Sequence, residues 1–166
     1  MELINFNNRE YPKLQSQGFA SQYSFKFAEK ICKGKGYDIG CNRPEWSLDG
    51  SIPVDPELNQ YDALNLPKEL VDYIYSSHCL EHLPDYVKAL DYWSENLKQG
   101  GILFMYLPNM DYQEYWNPAN NRKHYHYFTP KIIQSYFDNR KDMWENVIVT
   151  EGYDLNGSFY AVSKKK

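Results

Sequence analysis

Cysteine is scarce in this 166-residue chain: Cys32, Cys41 and Cys79 make an odd three, with no Cys-x-x-Cys spacing. That excludes a disulfide framework and a cysteine-built zinc site, and it fits a reducing compartment. Clustered positive charge is equally thin. The formal net charge is −4, and the one concentrated basic run is the terminal Lys164-Lys165-Lys166, so the footprint of a nucleic-acid binder is missing. The longest apolar stretch, "ILFMYLP", is too short to span a bilayer, and "MELINFNNREYP" shows no charged-then-apolar leader. A soluble, cytoplasmic protein is expected, with no membrane partner. A Gly-x-Gly-x-x-Gly helix start is absent as well, which argues against a nicotinamide-dependent oxidoreductase. Repeats, low-complexity linkers and composition breaks are lacking, so residues 1–166 read as one domain, long enough to bury a core.

Aromatic residues are abundant, at 17% with sixteen tyrosines. Tyrosine joins an apolar body to a polar tip and suits half-buried faces and ligand grooves. It also depresses the mean hydropathy, −0.73 here, without implying disorder.

Along the chain, Phe19, Tyr23, Phe27 and Ile31 recur every four residues and predict an amphipathic helix ended by Gly34 or Gly36. Residues 1–34 are expected to form a helical lid or cover. "GYDIG" and "SIPVD" predict short strands, and "NQYDAL" a marginal third. "LVDYIYSSH" is β-rich, and "PDYVKALDYWSENLKQGG" is helical, with Val87, Leu90, Trp93 and Leu97 on one face. "GILFMYLP" then reads as a central strand covered on both sides. Strand, helix, strand in that rhythm means a parallel βαβ unit and an α/β fold. After a polar-aromatic loop (109–128), "TPKIIQSYFDN" predicts a helix with Thr129 as N-cap and Pro130 at its first position. "ENVIVTEGY" and "GSFYAVSKK" predict an antiparallel hairpin over 143–166.

Ligands of an open α/β sheet bind beyond the carboxyl ends of its strands. Those ends carry Asp38, Gly40, Cys41 and Asn42, then Asp55, then Asp62-Ala63, then Ser77-His78, then Asn109. Carboxylates close three successive strands. Such a site suits an adenosine-containing cation: one acid accepts from ribose hydroxyls, the next from an adenine amino group, and Asp38 faces an ammonium. A phosphate ligand would call for basic side chains and a free helix start instead.

"YDIGCN", the acid of "IPVD", "YDALNLP", "VDYIYSSHCLEHLPD" and "LKQGGILFMYLPN" together resemble the class I S-adenosylmethionine-dependent methyltransferases, in particular their type-11 group. The resemblance covers residues 35–110, the expected cofactor-binding core, and the terminal hairpin agrees with it. It implies a Rossmann-like, mostly parallel sheet with S-adenosylmethionine as cofactor. Asp38, Gly40 and Asn42 would line the methionine end, Asp55 would hold the ribose, and Asp62 and Ala63 would hold the adenine. Ser77 and His78 would flank the sulfonium, while Glu81 and His82 brace the following loop. The family's Asp-x-Gly-x-Gly-x-Gly run is altered here, with Asn42 at the second glycine and Pro44 near the third. Asparagine tolerates left-handed dihedrals, so the turn survives. The intervals from Gly40 to Asp55 and from Asp55 to Asp62 are too short for full helices, so the helices after the first two strands are expected to be shortened or missing.

The 109–128 loop lies where such enzymes place substrate residues, which implies acceptor contacts from Asn109, Tyr112, Tyr115 and Trp116. His124 and His126 lie two apart, and on an extended segment both would face one side. Either could take a hydroxyl proton during methyl transfer. The resemblance also allows Glu81 and His82 a metal-ligand role, since a few methyltransferases use a Glu and a His there, but no completed ligand set is read around them, so no metal is expected. The expected activity is methyl transfer to a small-molecule or glycan-like acceptor, at oxygen. The alternative is a non-catalytic module that binds S-adenosylmethionine or S-adenosylhomocysteine. Thin cover over the first strands leaves room for a homodimer.

Overall fold

The structure, a computed structural model, describes residues 1–6, 8–112 and 116–166. Its centre is a six-stranded sheet in the order β4-β3-β5-β6-β8-β7. The strands are β3 (Gly36–Ile39), β4 (Ile52–Val54), β5 (Val71–Ser77), β6 (Leu97–Pro108), β7 (Trp144–Val149) and β8 (Ser158–Lys165). The first four run parallel, and β8 is antiparallel to both β6 and β7. This is the Rossmann-like sheet with an antiparallel edge that the sequence implies. The marginal third strand does not form: within "NQYDAL" and beyond, the chain makes a single bridge, Asp62 to Asn65.

Side-chain alternation on the two central strands divides the core. Leu103, Met105 and Leu107 of β6, with Ile74 of β5, point to one face. There they meet α3 (Tyr86–Asn96) and α4 (Pro130–Asp138). Tyr73, Tyr75, Phe104 and Tyr106 point to the other. Helix α3 starts at Asp85, whose side chain accepts from Lys88 N–H, and it buries Ala89, Leu90 and Trp93. Thr129 caps α4 as expected, with its hydroxyl accepting from Ile132 N–H.

The opposite face has little helix to cover it. A hairpin of β1 (Leu3–Phe6) and β2 (Arg9–Pro12), the single turn α1 (Lys13–Ser16), a 3₁₀ turn (Ala20–Tyr23) and the short α2 (Phe25–Ile31) make up the lead. The helix expected over this stretch is broken at Ser24, and its buried row is Ala20, Ser24, Ala28 and Cys32, one residue on from the aromatic row. Small residues let the backbone approach the tyrosine-rich sheet face, and Ser24 Oγ bonds Tyr75 Oη at 2.7 Å. The aromatic rings flank this contact. Phe27 is 42% exposed yet packs edge-on against Phe104 and Tyr160. Tyrosine thus does on this face what a second layer of helices does elsewhere in such folds.

After β3 only a 3₁₀ turn, Pro44–Trp46, remains of a covering helix, and after β4 none is present among the described residues. The compression inferred from the intervals is therefore real. Loops tied to the other face replace those helices. Trp93 Nε1 donates to Ala63 O at 2.7 Å, Leu66 N donates to Tyr92 Oη at 2.9 Å, and buried Tyr37 donates to Glu69 O at 2.9 Å.

Candidate active site

Two adjoining cavities open at the carboxyl ends of β3, β4 and β5. The larger, about 1240 Å³, takes in Asp38, Gly40, Cys41, Asn42, Ser77, His78, Glu81, His82, Trp116 and His124. The smaller, about 430 Å³, takes in Asp55, Asp62, Ala63, Leu64, Cys79 and Leu83, with Ile39 and Val54 behind. Gly40, His78 and His82 border both. An elongated ligand can therefore lie across the strand ends, its apolar part in the smaller slot and its polar part in the larger.

The turn after β3 is the pivot. Gly40 has φ +81° and Asn42 φ +62°, so the left-handed conformation passes to an asparagine as the sequence implies. A side chain at Gly40 has no room: a Cβ there would stand 2.6 Å from both Cβ and Sγ of Cys79. Asp55 ties this turn to β4 by accepting from Asn42 N–H at 3.0 Å, and its other oxygen accepts from Glu57 N–H at 2.9 Å. Asp62 accepts from Leu64 N–H at 2.7 Å, holding the Asp62-Ala63 loop over the smaller slot. Asp38 is 1% exposed and accepts from Leu48 N–H at 2.7 Å. Burial pushes its carboxyl up to about 7, against the Leu48 amide and the Ser47 hydroxyl, which favour the charged form.

His78 follows β5 at φ +48°, uncommon for a side-chain-bearing residue and of the kind that collects at functional sites. Its Nε2 is 2.8 Å from Ser158 Oγ, and its ring meets Trp116 edge-on at 5.2 Å between centroids. Burial, with His82 and His124 nearby, lowers its pKa to about 3, so the ring is neutral.

The loop before α4 docks on the turn after β5 through three bonds. Tyr125 N donates to Glu81 O at 2.8 Å, His82 Nδ1 donates to Lys123 O at 2.9 Å, and His126 Nε2 donates to Leu83 O at 2.8 Å. His124 consequently faces the larger cavity, its Nδ1 donating to Trp116 O at 2.6 Å. Burial lowers the His124 pKa to about 4, offset in part by that carbonyl. His126 turns the other way and packs on Tyr86 and Phe128. The segment is not a regular strand, so the two histidines do not share a side.

Of the other residues named from the sequence, Ser77 and Trp116 line the larger cavity. Asn109 does not: it is spent on Gly152 O at 2.6 Å and Asp111 N at 3.1 Å, tying β6 to the hairpin loop. Tyr112 stacks on Tyr153 at 3.7 Å and is 46% exposed, away from the cavity. Tyr115 lies outside the described residues. The lead, expected as a cover over residues 1–34, lines the larger cavity, but sequence reasoning missed its hairpin and the residues it contributes, including Ile4 and Tyr11, which pair across β1 and β2, and Gln15, Gly18 and Ser21. The paired asparagines between "LINF" and "REYP" were the available signal for that hairpin.

Comparison with known proteins agrees with this geometry. Residues 22–140 match the family described as "Methyltransferase domain", and the chain belongs to that family. It is an S-adenosylmethionine-dependent class I methyltransferase. Among solved structures, a methyltransferase from Thermotoga maritima, described as a possible histamine N-methyltransferase, is 18% identical with a TM-score of 0.71, covering 92% of this chain and 93% of its own. The N-methyltransferase NodS from Bradyrhizobium japonicum, solved with S-adenosylhomocysteine, is 12% identical with a TM-score of 0.58, covering 92% and 88%. A methyltransferase from Archaeoglobus fulgidus is 16% identical with a TM-score of 0.62, covering 92% and 94%. No curated protein matches in sequence. At these identities the structures share the fold.

The residues present fit S-adenosylmethionine. The apolar slot ending in Asp62 suits adenine, and the Asp55 end suits ribose hydroxyls. The close approach at Gly40 and the buried Asp38 suit the cationic methionine end. Bound there, the cofactor supplies an electrophilic methyl group.

Proposed function

We propose that the protein methylates an oxygen of a small-molecule or glycan-like acceptor that enters the larger cavity. The observation that carries this reading is the cavity wall of Glu81, His82 and His124. Each histidine gives its Nδ1–H to a backbone carbonyl and so turns an unprotonated Nε2 toward its neighbours, and Glu81 offers a carboxyl. Imidazole lone pairs turned to a cavity suit a group that must lose a proton as it attacks.

In the reaction, the acceptor oxygen forms a bond to the methyl carbon and the carbon–sulfur bond breaks. The sulfur keeps the electron pair, leaving S-adenosylhomocysteine, and the hydroxyl proton leaves toward the wall. The displacement is in line, so holding the two partners in register supplies much of the acceleration. Asp38 and the Gly40–Asn42 turn position the donor, while Trp116 and His78 close the space around the transferring group.

The test is S-adenosylhomocysteine release from S-adenosylmethionine with panels of hydroxylated metabolites, sugars and amines. Oxygen methylation is expected, with His124→Ala slowing kcat about 100-fold while binding S-adenosylhomocysteine as the wild type does. His126→Ala, whose ring faces away, keeps most of the rate. Turnover on amines alone, or tight cofactor binding with no turnover on any acceptor, overturns the proposal.

A further inference from the structure

We infer that Glu81, His82 and His124 form a binding site for one divalent transition-metal ion, of the borderline softness of Zn²⁺. The inference rests on the methyltransferase reading only for what the cavity is used for; the site itself is argued from its donors.

Glu81 is the anomaly that points to it. The side chain is 0% exposed, and neither carboxyl oxygen accepts a hydrogen bond from any other described residue. A buried carboxylate left without donors is strongly disfavoured unless a proton or a cation neutralises it, and the nitrogen ligands beside it favour the cation. Around it stand ligands of the right kind: one donor atom each from Glu81, His82 and His124 lie within 4.8 Å of one another. His82 Nε2 is 3.9 Å from Glu81 Oε1, and His78 Nδ1 lies 3.5 Å from the same oxygen.

The tautomers agree. Both His82 and His124 give Nδ1–H to main-chain carbonyls, of Lys123 and Trp116, which leaves Nε2 as the lone-pair nitrogen. A backbone carbonyl behind the imidazole is the usual outer shell of a metal-bound histidine. Asn121 Nδ2 donates to His124 Nε2 at 3.3 Å, which marks that nitrogen as the acceptor, and this half-exposed amide has to swing aside for an ion.

Two imidazoles and one carboxylate are a three-ligand set that leaves coordination positions open to the cavity, as in catalytic rather than structural sites. Tetrahedral ligands at ordinary metal distances sit about 3.3 Å apart. The trio therefore closes by up to about 1.5 Å, and the part-exposed His82 ring has room to move. An acceptor oxygen on an open position would be held beside the cofactor and its hydroxyl acidified; with the three wall groups engaged as ligands, its proton would pass to water instead of to them.

The test needs no turnover. The full chain, stripped with a chelator, is titrated with Co²⁺ by visible absorption and with Zn²⁺ by competition against a chromophoric chelator. One ion per chain is expected, with affinity lost on the order of 100-fold or more in Glu81→Gln and in His124→Ala. Thermal melts show that each variant is folded, and S-adenosylhomocysteine titration shows that the cofactor site persists. No binding by the wild type, or binding that survives both substitutions, overturns the inference. Loss of S-adenosylhomocysteine binding by the wild type would instead strike at the methyltransferase reading.

Discussion

Gly40→Ala is the substitution that most directly probes the compressed turn. The backbone there sits at φ +81°, where a Cβ costs about 1–2 kcal/mol. The added methyl would stand 2.6 Å from both Cβ and Sγ of Cys79, and overpacking of that kind costs about 1–3 kcal/mol. Stiffening the unfolded chain returns about 0.4–1 kcal/mol. The net is a loss of about 3 kcal/mol, and for a chain of this size that lowers Tm by roughly 6–12 °C. Thermal and urea unfolding measure it. Pairing the change with Cys79→Gly separates the two causes, because removing the Cys79 side chain relieves the collision and leaves the dihedral strain. Coupling of about 1–2 kcal/mol in the favourable direction is expected in the double variant. A Gly40→Ala protein as stable as the wild type, or a cycle with no coupling, would refute this account of the turn.

Asp38→Asn reads the buried carboxyl. With its pKa pushed up from 3.8 to about 7, folded Asp38 keeps its proton across a range where the unfolded chain has lost it. The folded state binds more protons there, so this contribution to stability falls as pH rises through that window. The stability of wild type minus variant should drop by on the order of 2–4 kcal/mol between pH 4 and 7, and a flat difference contradicts the assignment. Arg140→Ala removes a two-pronged contact to Asp91, at 2.6 and 3.0 Å, and the stacking of the guanidinium on Tyr136. It should cost about 1–2 kcal/mol in denaturant unfolding, with cofactor affinity unchanged. Trp93→Phe breaks the bond to Ala63 O and frees the Asp62-Ala63 loop. Affinity for S-adenosylhomocysteine should weaken by about 5- to 10-fold, as expected of one hydrogen bond of about 1 kcal/mol, and unaltered affinity would remove α3 from the positioning of the adenine slot.

Much of the site was legible because its residues follow strand ends, and strand ends in a parallel sheet are marked by short apolar runs closing in polar residues. Asp38, Asp55, Asp62 and His78 were singled out that way and border the two cavities, and the short intervals between them announced the missing helices. The lead was harder. Periodicity singled out the large aromatic row, whereas burial follows the small row beside it, because close approach to a tyrosine-covered sheet rewards Ala20, Ser24 and Ala28. The histidine pair misled through its spacing. Period-2 reasoning holds for a strand, and residues 123–129 are an irregular segment stapled to Glu81, His82 and Leu83 by hydrogen bonds that no local pattern records. For the same reason His124 could not be joined to Glu81 and His82 in advance, since only the tertiary docking of that segment brings them together. Asn109 and Tyr112 followed from their place after β6 and turned out to hold the hairpin loop instead.

The central claim is that a turn closed by Asn42 and Asp55, without its usual covering helix, still holds the cofactor. Calorimetric titration of the folded protein with S-adenosylhomocysteine tests it, with Asp55→Ala beside the wild type. One-to-one micromolar binding is expected, weakened about 10- to 100-fold when the Asp55 carboxylate is lost. A folded wild type that binds no S-adenosylhomocysteine, or an Asp55→Ala protein that binds it equally well, would contradict the account.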